Sequence, residues 1–293
     1  MHLSRSLRRG VMLVALLALA APLAAFAGQG KGSTDRDDWD RGKARMFYAT
    51  DSGNSLIRFS SDNPRKLRAK QITGLPAGVS VKGIDFRPAS GDLYALGSDR
   101  VVYRLNPQTA IAVPEGKSFD QMPSILNSDL NGFDFNPTVD KIRVTSDARD
   151  NLRLNPDDGT LLAVDTMLTP TDVQIVGSAY TNSSFTAFAT RPTATVLYAY
   201  DVSGPVDRLW IQNPANAGTL ITPLSTGMRL RSNLGFDIAG KNNVGWVAGQ
   251  EKGRFGSRLY RLDIASGQTK EVGRIGDGSR TITGLAAVQD QVK

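Results

Sequence analysis

The sequence contains no cysteine and a single histidine, His2, among its 293 residues. The lack of cysteine excludes disulfides, thiolate metal sites and cysteine nucleophiles. His2 lies in an N-terminal segment that we predict to be removed, so the mature chain would have no imidazole. This excludes Ser-His-Asp catalysis and metal sites built on histidine. An enzyme with this composition would depend on carboxylates, lysine, tyrosine or a bound hard cation.

Long apolar runs are also absent, except at the N-terminus. Three arginines there precede an apolar run over residues 11–21, and Ala25-Phe26-Ala27 is a small-x-small cleavage sequence. This pattern predicts a signal peptide over residues 1–27 and export to the periplasm or the cell exterior. The run is short for a membrane span, so we expect none. Two adjacent arginines are present without the flanking residues of a twin-arginine signal, which favours general secretion.

A run of charge of one sign is missing too. The 35 basic residues fall to 32 once Arg5, Arg8 and Arg9 are removed, so the net charge falls from +7 to +4. The remaining lysines and arginines are scattered along the chain, and we therefore expect no nucleic-acid partner. Residues 28–43 are polar and lack apolar periodicity, which predicts a flexible leader. Their four aspartates lack the glycine and glutamate of an EF-hand loop, so we interpret them as solvated linker.

What the chain does contain is a repeated phrase. It reads Gly-Ile-Asp-Phe-Arg-Pro from Gly83, Gly-Phe-Asp-Phe-Asn-Pro from Gly132 and Gly-Phe-Asp-Ile from Gly235. Weaker copies begin at Gly177 and Gly284, and successive copies begin 45 to 58 residues apart. Such a period indicates one supersecondary unit, copied five times, in which each copy packs against its neighbours.

Each phrase is followed by short runs rich in β-branched and aromatic residues and closed by Asn, Pro or Gly turns. The runs are 92–96, 141–145, 185–189 and 243–247, then 101–105, 151–154, 196–200 and 258–262, with fourth strands at 160–164 and 269–272. These features predict strands and tight turns. Repeated four-stranded units of this length are typical of β-propellers. We therefore predict an all-β protein, a five-bladed propeller of four-stranded antiparallel blades over residues 44–289.

The ends of this region predict how the ring closes. The N-terminal part begins with second-strand and third-strand sequences, at 46–50 and 55–59. The C-terminal part ends with a lone first-strand sequence at 284–288. Together these three segments complete one blade, in which the C-terminal strand joins the N-terminal blade and removes an exposed sheet edge.

The aspartates of the three strong phrases need a compensating partner, because an isolated buried carboxylate costs several kcal/mol. The third strands carry an arginine in the same three blades, which predicts structural ion pairs: Asp85 with Arg104, Asp134 with Arg153, and Asp237 with Arg261. Breaking such a pair by Asp134→Ala would destabilise the fold by about 3–5 kcal/mol. The alternative is that the three aspartates surround the axial channel and bind calcium, which prefers oxygen ligands.

An ordered set of motifs resembles one known family. The set is Gly132–Pro137, Val144–Asp147, Asn151–Pro156, Ala179–Asn182, Leu197–Asp201, Gln212–Pro214 and Leu259–Asp263. Over residues 46–288 the chain is similar to the bacterial family catalogued as domain of unknown function 4394. The resemblance implies an exported, propeller-like domain, and it implies no catalytic residue.

Candidate ligand residues lie in the longest connections, 114–131 and 215–233, and in other loops at the same end of the ring, because long loops there are often functional. The residues are Asp129, Asn131, Arg149, Asp150, Arg229, Arg231, Asn233 and Arg254. Arginine suits carboxylate or phosphate groups, although for any one of these residues taken alone we favour the interpretation as solvated loop. Trp210 and Trp246 lie in strand sequences, and we assign them to the core.

These observations favour a monomeric, non-catalytic binding module. Its partner would be a small molecule, a glycan or an envelope protein, and it would need no cofactor. The alternative is a calcium-dependent hydrolase or lyase that acts on a lactone or sugar through the axial channel. The sequence offers no nucleophile constellation for that chemistry, and three equivalent aspartates do not decide between the two hypotheses.

Overall fold

The strands are seen in a computed structural model that describes residues 44–120, 126–184, 190–240 and 242–289. The predicted signal peptide (1–27), the predicted leader (28–43) and the predicted strand at 185–189 lie outside the described residues. Twenty strands in the described part form five four-stranded sheets, and every pairing within them is antiparallel. The predicted five-bladed propeller is therefore confirmed.

The first blade closes the ring. Its strand order is β20-β1-β2-β3, with β20 at Ile282–Ala287, β1 at Met46–Asp51, β2 at Ser55–Ser60 and β3 at Asn63–Gln71. Phe47 pairs with Ala287, and Ala49 pairs with Leu285. The C-terminal strand thus supplies the innermost strand of the blade that the N-terminal strands begin, as the sequence predicts.

The other four blades follow chain order from the innermost strand outward. Blade 2 contains β4 (Val81–Phe86), β5 (Leu93–Gly97), β6 (Val102–Leu105) and β7 (Ala112–Pro114); blade 3 contains β8 (Asn131–Asn136), β9 (Lys141–Ser146), β10 (Asn151–Leu154) and β11 (Leu161–Val164). Blade 4 contains β12 (Ile175–Tyr180), β13 (Leu197–Asp201), β14 (Arg208–Gln212) and β15 (Leu220–Ser225); blade 5 contains β16 (Leu230–Ala239), β17 (Val244–Glu251), β18 (Arg258–Leu262) and β19 (Thr269–Arg274).

Blade 4 differs from the predicted assignment. The run at 196–200, predicted as a third strand, is the second strand β13, which pairs directly with β12. The third strand is β14, which contains Trp210. The predicted loop at 215–233 contains β15 and the beginning of β16. The pattern Leu-Tyr-Ala-Tyr misled the assignment because second and third strands carry the same alternation of apolar residues.

Aromatic contacts connect neighbouring blades. Phe47 of blade 1 lies edge-on to Trp246 of blade 5, with ring centroids 5.0 Å apart. Tyr94 of blade 2 contacts Phe135 of blade 3 at 5.2 Å in the same geometry. Trp246 is 8% exposed and Trp210 is 7% exposed, so both lie in the core as predicted. The blades are therefore joined through buried faces that pack against each other.

The repeated glycines allow the innermost strands to approach one another. A Cβ atom added at Gly83 would lie 2.7 Å from the Cβ of Phe133, and one added at Gly177 would lie 2.8 Å from the Cβ of Phe236. The five contacts run around the ring in the order Gly83 to Phe133, Gly132 to Ser178, Gly177 to Phe236, Gly235 to Leu285 and Gly284 to Ile84. Each glycine thus faces the residue that follows the glycine of the next blade. Any larger residue would push adjacent blades apart.

Helices contribute little to this fold. The described residues contain a short 3₁₀ turn, Ala215–Ala217, and no α-helix. Within the same residues, no helix has the length and apolar character required to cross a bilayer.

Candidate axial site

The aspartates of the repeated phrase lie two residues after the glycines on the innermost strands. Because side chains in a strand alternate between its two faces, each aspartate lies on the same face as its glycine. Asp85, Asp134 and Asp237 occupy this position in blades 2, 3 and 5, whereas Ala179 and Ala286 occupy it in blades 4 and 1. The sequence pattern thus places three carboxylates and two methyl groups around the axis.

Each carboxylate accepts a hydrogen bond from the next blade. The donors are backbone N–H groups: Phe135 donates to Asp85 at 2.9 Å, Tyr180 to Asp134 at 3.1 Å, and Ala287 to Asp237 at 2.6 Å. In its own blade, each donor residue comes directly after the residue that occupies the aspartate position. These bonds connect blade 2 to blade 3, blade 3 to blade 4, and blade 5 to blade 1.

The predicted aspartate–arginine ion pairs are wrong. Arg104 lies in register with Asp85 across Tyr94, but its guanidinium contacts Glu115 at 2.7 Å. In this blade the third-strand arginine lies two strands from the aspartate, whereas Glu115, which follows the fourth strand, contacts the arginine directly. The blade 3 and blade 5 arginines show the same register, Arg153 across Arg143 from Asp134 and Arg261 across Trp246 from Asp237.

In blade 3 the competing acid is Asp165, which follows β11. Arg153 donates two hydrogen bonds to Asp165, at 2.8 and 2.9 Å. Arg143, directly opposite Asp134 in the sheet, also donates to Asp165, at 2.7 Å. Asp134, Asp85 and Asp237 form no ion pair with any described residue.

The three aspartates instead converge on one another. One carboxylate oxygen from each lies within 4.8 Å of those of the other two, and the residues are 4%, 2% and 4% exposed. We call Asp85, Asp134 and Asp237 the axial triad. Three carboxylates at this separation in a dry environment cannot all be ionised without a cation to compensate them.

Electrostatics gives the same result. Burial raises the pKa of Asp134 well above its usual value, and the charges of Asp85 and Asp237 raise it further. Burial and the charge of Asp237 raise the pKa of Asp85 in the same way, against the lowering effect of two backbone donors. Burial also raises the pKa of Asp237, to about 6. The axial triad therefore favours either proton uptake or cation binding near neutral pH.

The axial triad suits a hard cation. Calcium binds oxygen at about 2.4 Å, so ligand oxygens around it lie up to about 4.8 Å apart. The backbone donors on the carboxylates would keep these ligands in place, as outer hydrogen bonds do in metal sites. Asp134 accepts one backbone hydrogen bond on Oδ1. Its second oxygen would be available to a cation.

A narrow throat lies above the axial triad. Its cavity of about 10 Å³ is lined by the five repeated glycines, by the residues that follow them and by four of the five residues that precede them. That volume corresponds to about one water molecule. A solvated ion that sheds its water could pass such a throat, whereas a sugar ring could not.

The mouth of the channel opens on the face where the innermost strands begin. A cavity of about 60 Å³ there is lined by Lys82, Asp129, Leu130, Asn131, Val176, Ser232, Asn233, Leu234 and Thr283. Five of these residues, Lys82, Asn131, Val176, Leu234 and Thr283, each precede a repeated glycine. We call this cavity the axial mouth.

Asn131 is the unusual member of the axial mouth. The residue is 7% exposed, and its Nδ2 group donates to the Ser128 carbonyl at 3.0 Å. The Oδ1 atom is buried and accepts no hydrogen bond from the described residues. An unsatisfied buried amide oxygen is costly, so a ligand donor at this atom would be favourable.

Asp129 lies beside it, half-exposed between two cations. Its carboxylate contacts Arg100 at 2.7 Å and Lys82 at 3.3 Å. Partial burial acts to raise the pKa of Asp129, but the hydrogen bond from Arg100 and the charge of Lys82 outweigh it, and the pKa is below the usual value. The axial mouth therefore presents an ionised acceptor, an amide acceptor and an ammonium donor.

Three of the predicted ligand residues gather here: Asp129, Asn131 and Asn233. Two others have local structural contacts. Asp150 is 5% exposed and accepts hydrogen bonds from the backbone N–H of Asn127 at 2.8 Å and from its Nδ2 at 2.6 Å. Arg149 donates to the Leu168 carbonyl at 3.2 Å.

The remaining three predicted residues do not line the axial mouth. Arg229 and Arg231 are exposed before and within β16. Arg254 forms surface ion pairs with Glu251 and Glu271. Sequence reasoning missed Lys82 and Ser232. The repeat contains a signal for Lys82, because in all five copies the residue before the repeated glycine lines the axial mouth.

Comparison with known proteins gives a family. The family model described as "Domain of unknown function (DUF4394)" matches residues 55–286. The chain belongs to this family. No curated protein matches it.

Two solved structures that resemble the DUF4394 chain share little sequence with it. A chain of "COPII on membranes, outer coat vertex" is 11% identical, with a TM-score of 0.44, over 76% of this chain and 57% of that one. A chain of "The structure of the COPII coat assembled on membranes" has the same identity and TM-score, and the match covers 31% of its length. The DUF4394 chain thus spans less than two thirds of either chain.

Proposed function

We propose that this protein is a non-catalytic binding propeller that receives its ligand at the axial mouth. The observation that carries the proposal is the buried, unpartnered Oδ1 atom of Asn131 at the wall of that cavity. Ligand sites are concave and place a few polar groups around an otherwise apolar lining. Val176 and Leu234 provide apolar lining here, and Lys82, Asp129 and Asn233 provide polar groups.

The chemistry of the axial mouth favours a hydroxyl-bearing ligand. Asn131 Oδ1 and Asp129 accept hydrogen bonds, and Lys82 donates them. A volume of about 60 Å³ admits one end of a molecule rather than a whole one. We therefore favour the terminal residue of a saccharide, neutral or amino-substituted, whose hydroxyl or ammonium groups would satisfy Asn131 and Asp129.

Access argues against catalysis at the axial triad. A hydrolase or lyase acting on a sugar or lactone must bring its substrate into contact with the catalytic carboxylates or their metal. The axial triad is 2–4% exposed, below a throat of about 10 Å³. A calcium ion bound there would thus have a structural role.

Calcium in the axial triad is part of the proposal. Bound to Asp85, Asp134 and Asp237, the ion would neutralise their repulsion and connect blades 2, 3 and 5 at the axis. Export would place the protein where calcium reaches the range of weak extracellular sites, about 10⁻⁴–10⁻³ M. The proposed protein is thus an exported monomer with a calcium-stabilised ring.

The ligand proposal is tested by saturation-transfer NMR with neutral and amino monosaccharides as probes. Asn131→Ala should weaken binding at least tenfold, because it removes the buried acceptor. The matched control is Asn63→Ala, an exposed asparagine of β3, which should bind as the wild type does. The absence of saccharide binding, or binding that survives Asn131→Ala, would refute the proposal.

The calcium proposal has a separate test. After treatment with EDTA, addition of about 1 mM calcium should raise the melting temperature, since a ligand at about one to ten times its Kd adds about 0.4–1.4 kcal/mol. Asp134→Asn should abolish the shift, and Asp62→Asn, at an exposed turn, should retain it. A shift that is equal in both variants would place the ion elsewhere.

A further inference from the structure

A second unbalanced surface lies at the rim of the ring, on the two outermost strands of blade 1. It comprises Arg58 of β2 and Arg65, Lys66, Arg68 and Lys70 of β3, all exposed. We call these five residues the basic edge. We propose that the basic edge binds an acidic polysaccharide, independently of any ligand at the axial mouth.

The strand arranges the cations in a row. Side chains two residues apart lie on the same face of a strand, about 6.6–6.8 Å apart, so Arg68 and Lys70 lie side by side in the regular part of β3, and Lys66 lies next to them at the end of a bulge. Arg58 pairs directly with Arg68 and widens the row at its centre. At nine residues, β3 is the longest of the five edge strands. The cations therefore follow an extended edge strand, which matches a linear chain of anionic groups.

The other four blades each pair an outer-strand arginine with an acid. The pairs are Arg104 with Glu115, Arg153 with Asp165, Arg208 with Asp201, and Arg258 with Glu271. In the described part of the chain, Arg58, Arg65, Lys66 and Arg68 form no ion pair. Lys70 donates to the Gln108 carbonyl of blade 2. The basic edge is thus a part of the rim where positive charge is uncompensated.

Protection of the sheet edge does not account for this arrangement. Charged side chains on an edge strand prevent edge-to-edge aggregation, and either sign serves that purpose. Arg58 directly opposite Arg68 places like charges on a cross-strand pair, which destabilises the sheet. Folding gains nothing from this pair, whereas an anionic partner would remove the repulsion.

The surroundings of the basic edge select the class of polyanion. Binders of single-stranded nucleic acid present aromatic platforms for base stacking, and the aromatic side chains of β1 and β2 are buried. Membrane-surface binding requires apolar side chains beside the cations, and the exposed large apolar residues of the described chain lie in other blades. A polysaccharide with carboxylate or sulfate groups needs only the row of cations.

The test uses the full chain with fluorescent polygalacturonate and dextran sulfate as carboxylate and sulfate probes. We expect log Kd to rise linearly with the logarithm of the salt concentration, because binding to a polyanion releases its counterions. Arg68→Glu should weaken binding at least tenfold. Its matched control is Lys117→Glu, which makes the same charge change at an exposed lysine outside the basic edge and should stay within twofold.

The fold itself should tolerate Arg68→Glu, because the introduced carboxylate would face Arg58 and form an opposite-charge pair. Equal losses of polysaccharide affinity in Arg68→Glu and Lys117→Glu would show that binding depends only on net charge, and would overturn the proposal. Tighter binding of single-stranded DNA than of either polysaccharide would assign the basic edge to nucleic acid instead. If neither polysaccharide binds at low salt, the proposal for the basic edge is overturned as well. That result would not affect the proposal for the axial mouth.

Discussion

The axis and the rim of this ring carry opposite, unbalanced charges. At the axis, Asp85, Asp134 and Asp237 converge without an ion pair to any described residue, and at the rim Arg58 and Arg68 lie opposite each other without an acid. Elsewhere in the described part of the ring, buried charges are paired, as in the contact of Arg87 with Asp140 at 2.6 Å. The difference lies in solvent: water screens the rim cations at little cost, whereas the buried carboxylates require a proton or an ion.

The largest expected effect comes from opening the ring at the axis. Deleting residues from Gly284 onward removes most of β20, the partner of β1, and the N–H donor of Ala287 to Asp237. We expect loss of the cooperative thermal transition, and self-association through the free edge of β1. Circular dichroism melting and size-exclusion chromatography measure this. A truncated chain that keeps its melting temperature and stays monomeric would contradict the closure by β20.

The next effect is a dependence of stability on pH, which comes from the buried aspartates at the axis and not from the exposed cations at the rim. Burial raises the pKa of folded Asp237 from 3.8 to about 6, so the folded state binds protons more tightly than the unfolded chain in this window. The calcium-free protein should be most stable near pH 4, and its free energy of unfolding should fall by about 3 kcal/mol for this group as pH rises from about 4 to about 6.

Urea unfolding in EDTA between about pH 4.5 and 7.5 measures this dependence. The control is the same series with calcium, which should reduce the fall because a bound ion favours the ionised carboxylates. A free energy of unfolding that rises with pH across this window would indicate carboxylates stabilised by side-chain cations, contrary to the structure.

The smallest effect belongs to the rim. Arg68→Glu replaces a like-charge cross-strand pair with an opposite-charge pair, and it should raise the free energy of unfolding by about 0.2–1 kcal/mol. The effect should shrink at high salt, since the pair is exposed. Chemical denaturation at low and high salt measures it. A loss of stability would show that Arg68 has a structural partner.

The sequence predicts the architecture of the ring better than the contacts at its centre. The phrase from Gly83 recurs often enough to predict five blades and their closure, because repeat spacing and strand patterning are local properties of the chain. The register of Asp85 with Arg104 across Tyr94 is also correct. The predicted ion pair of Asp85 with Arg104 is wrong because Arg104 binds Glu115 instead. The sequence pattern does not show which of these two acidic residues lies closer to the arginine.

Convergence at the axis depends on ring closure, which brings residues from three blades together across about 150 residues of sequence. No local signal in the sequence distinguishes an aspartate that faces an arginine from one that faces two other aspartates. The axial mouth is different. Lys82 and Asn131 occupy the position before a repeated glycine, and aligning the five phrases would have grouped them without any coordinates.

The most direct test of the unbalanced axis is the sign of the stability change in Asp134→Asn, measured by urea unfolding at neutral pH in EDTA. Asparagine retains an acceptor for the Tyr180 N–H and removes one of the three buried carboxyl groups that repel one another when ionised. We predict that the variant is more stable than the wild type by about 1 kcal/mol or more. A loss of about 3–5 kcal/mol, as expected when a buried ion pair is broken, would contradict the account.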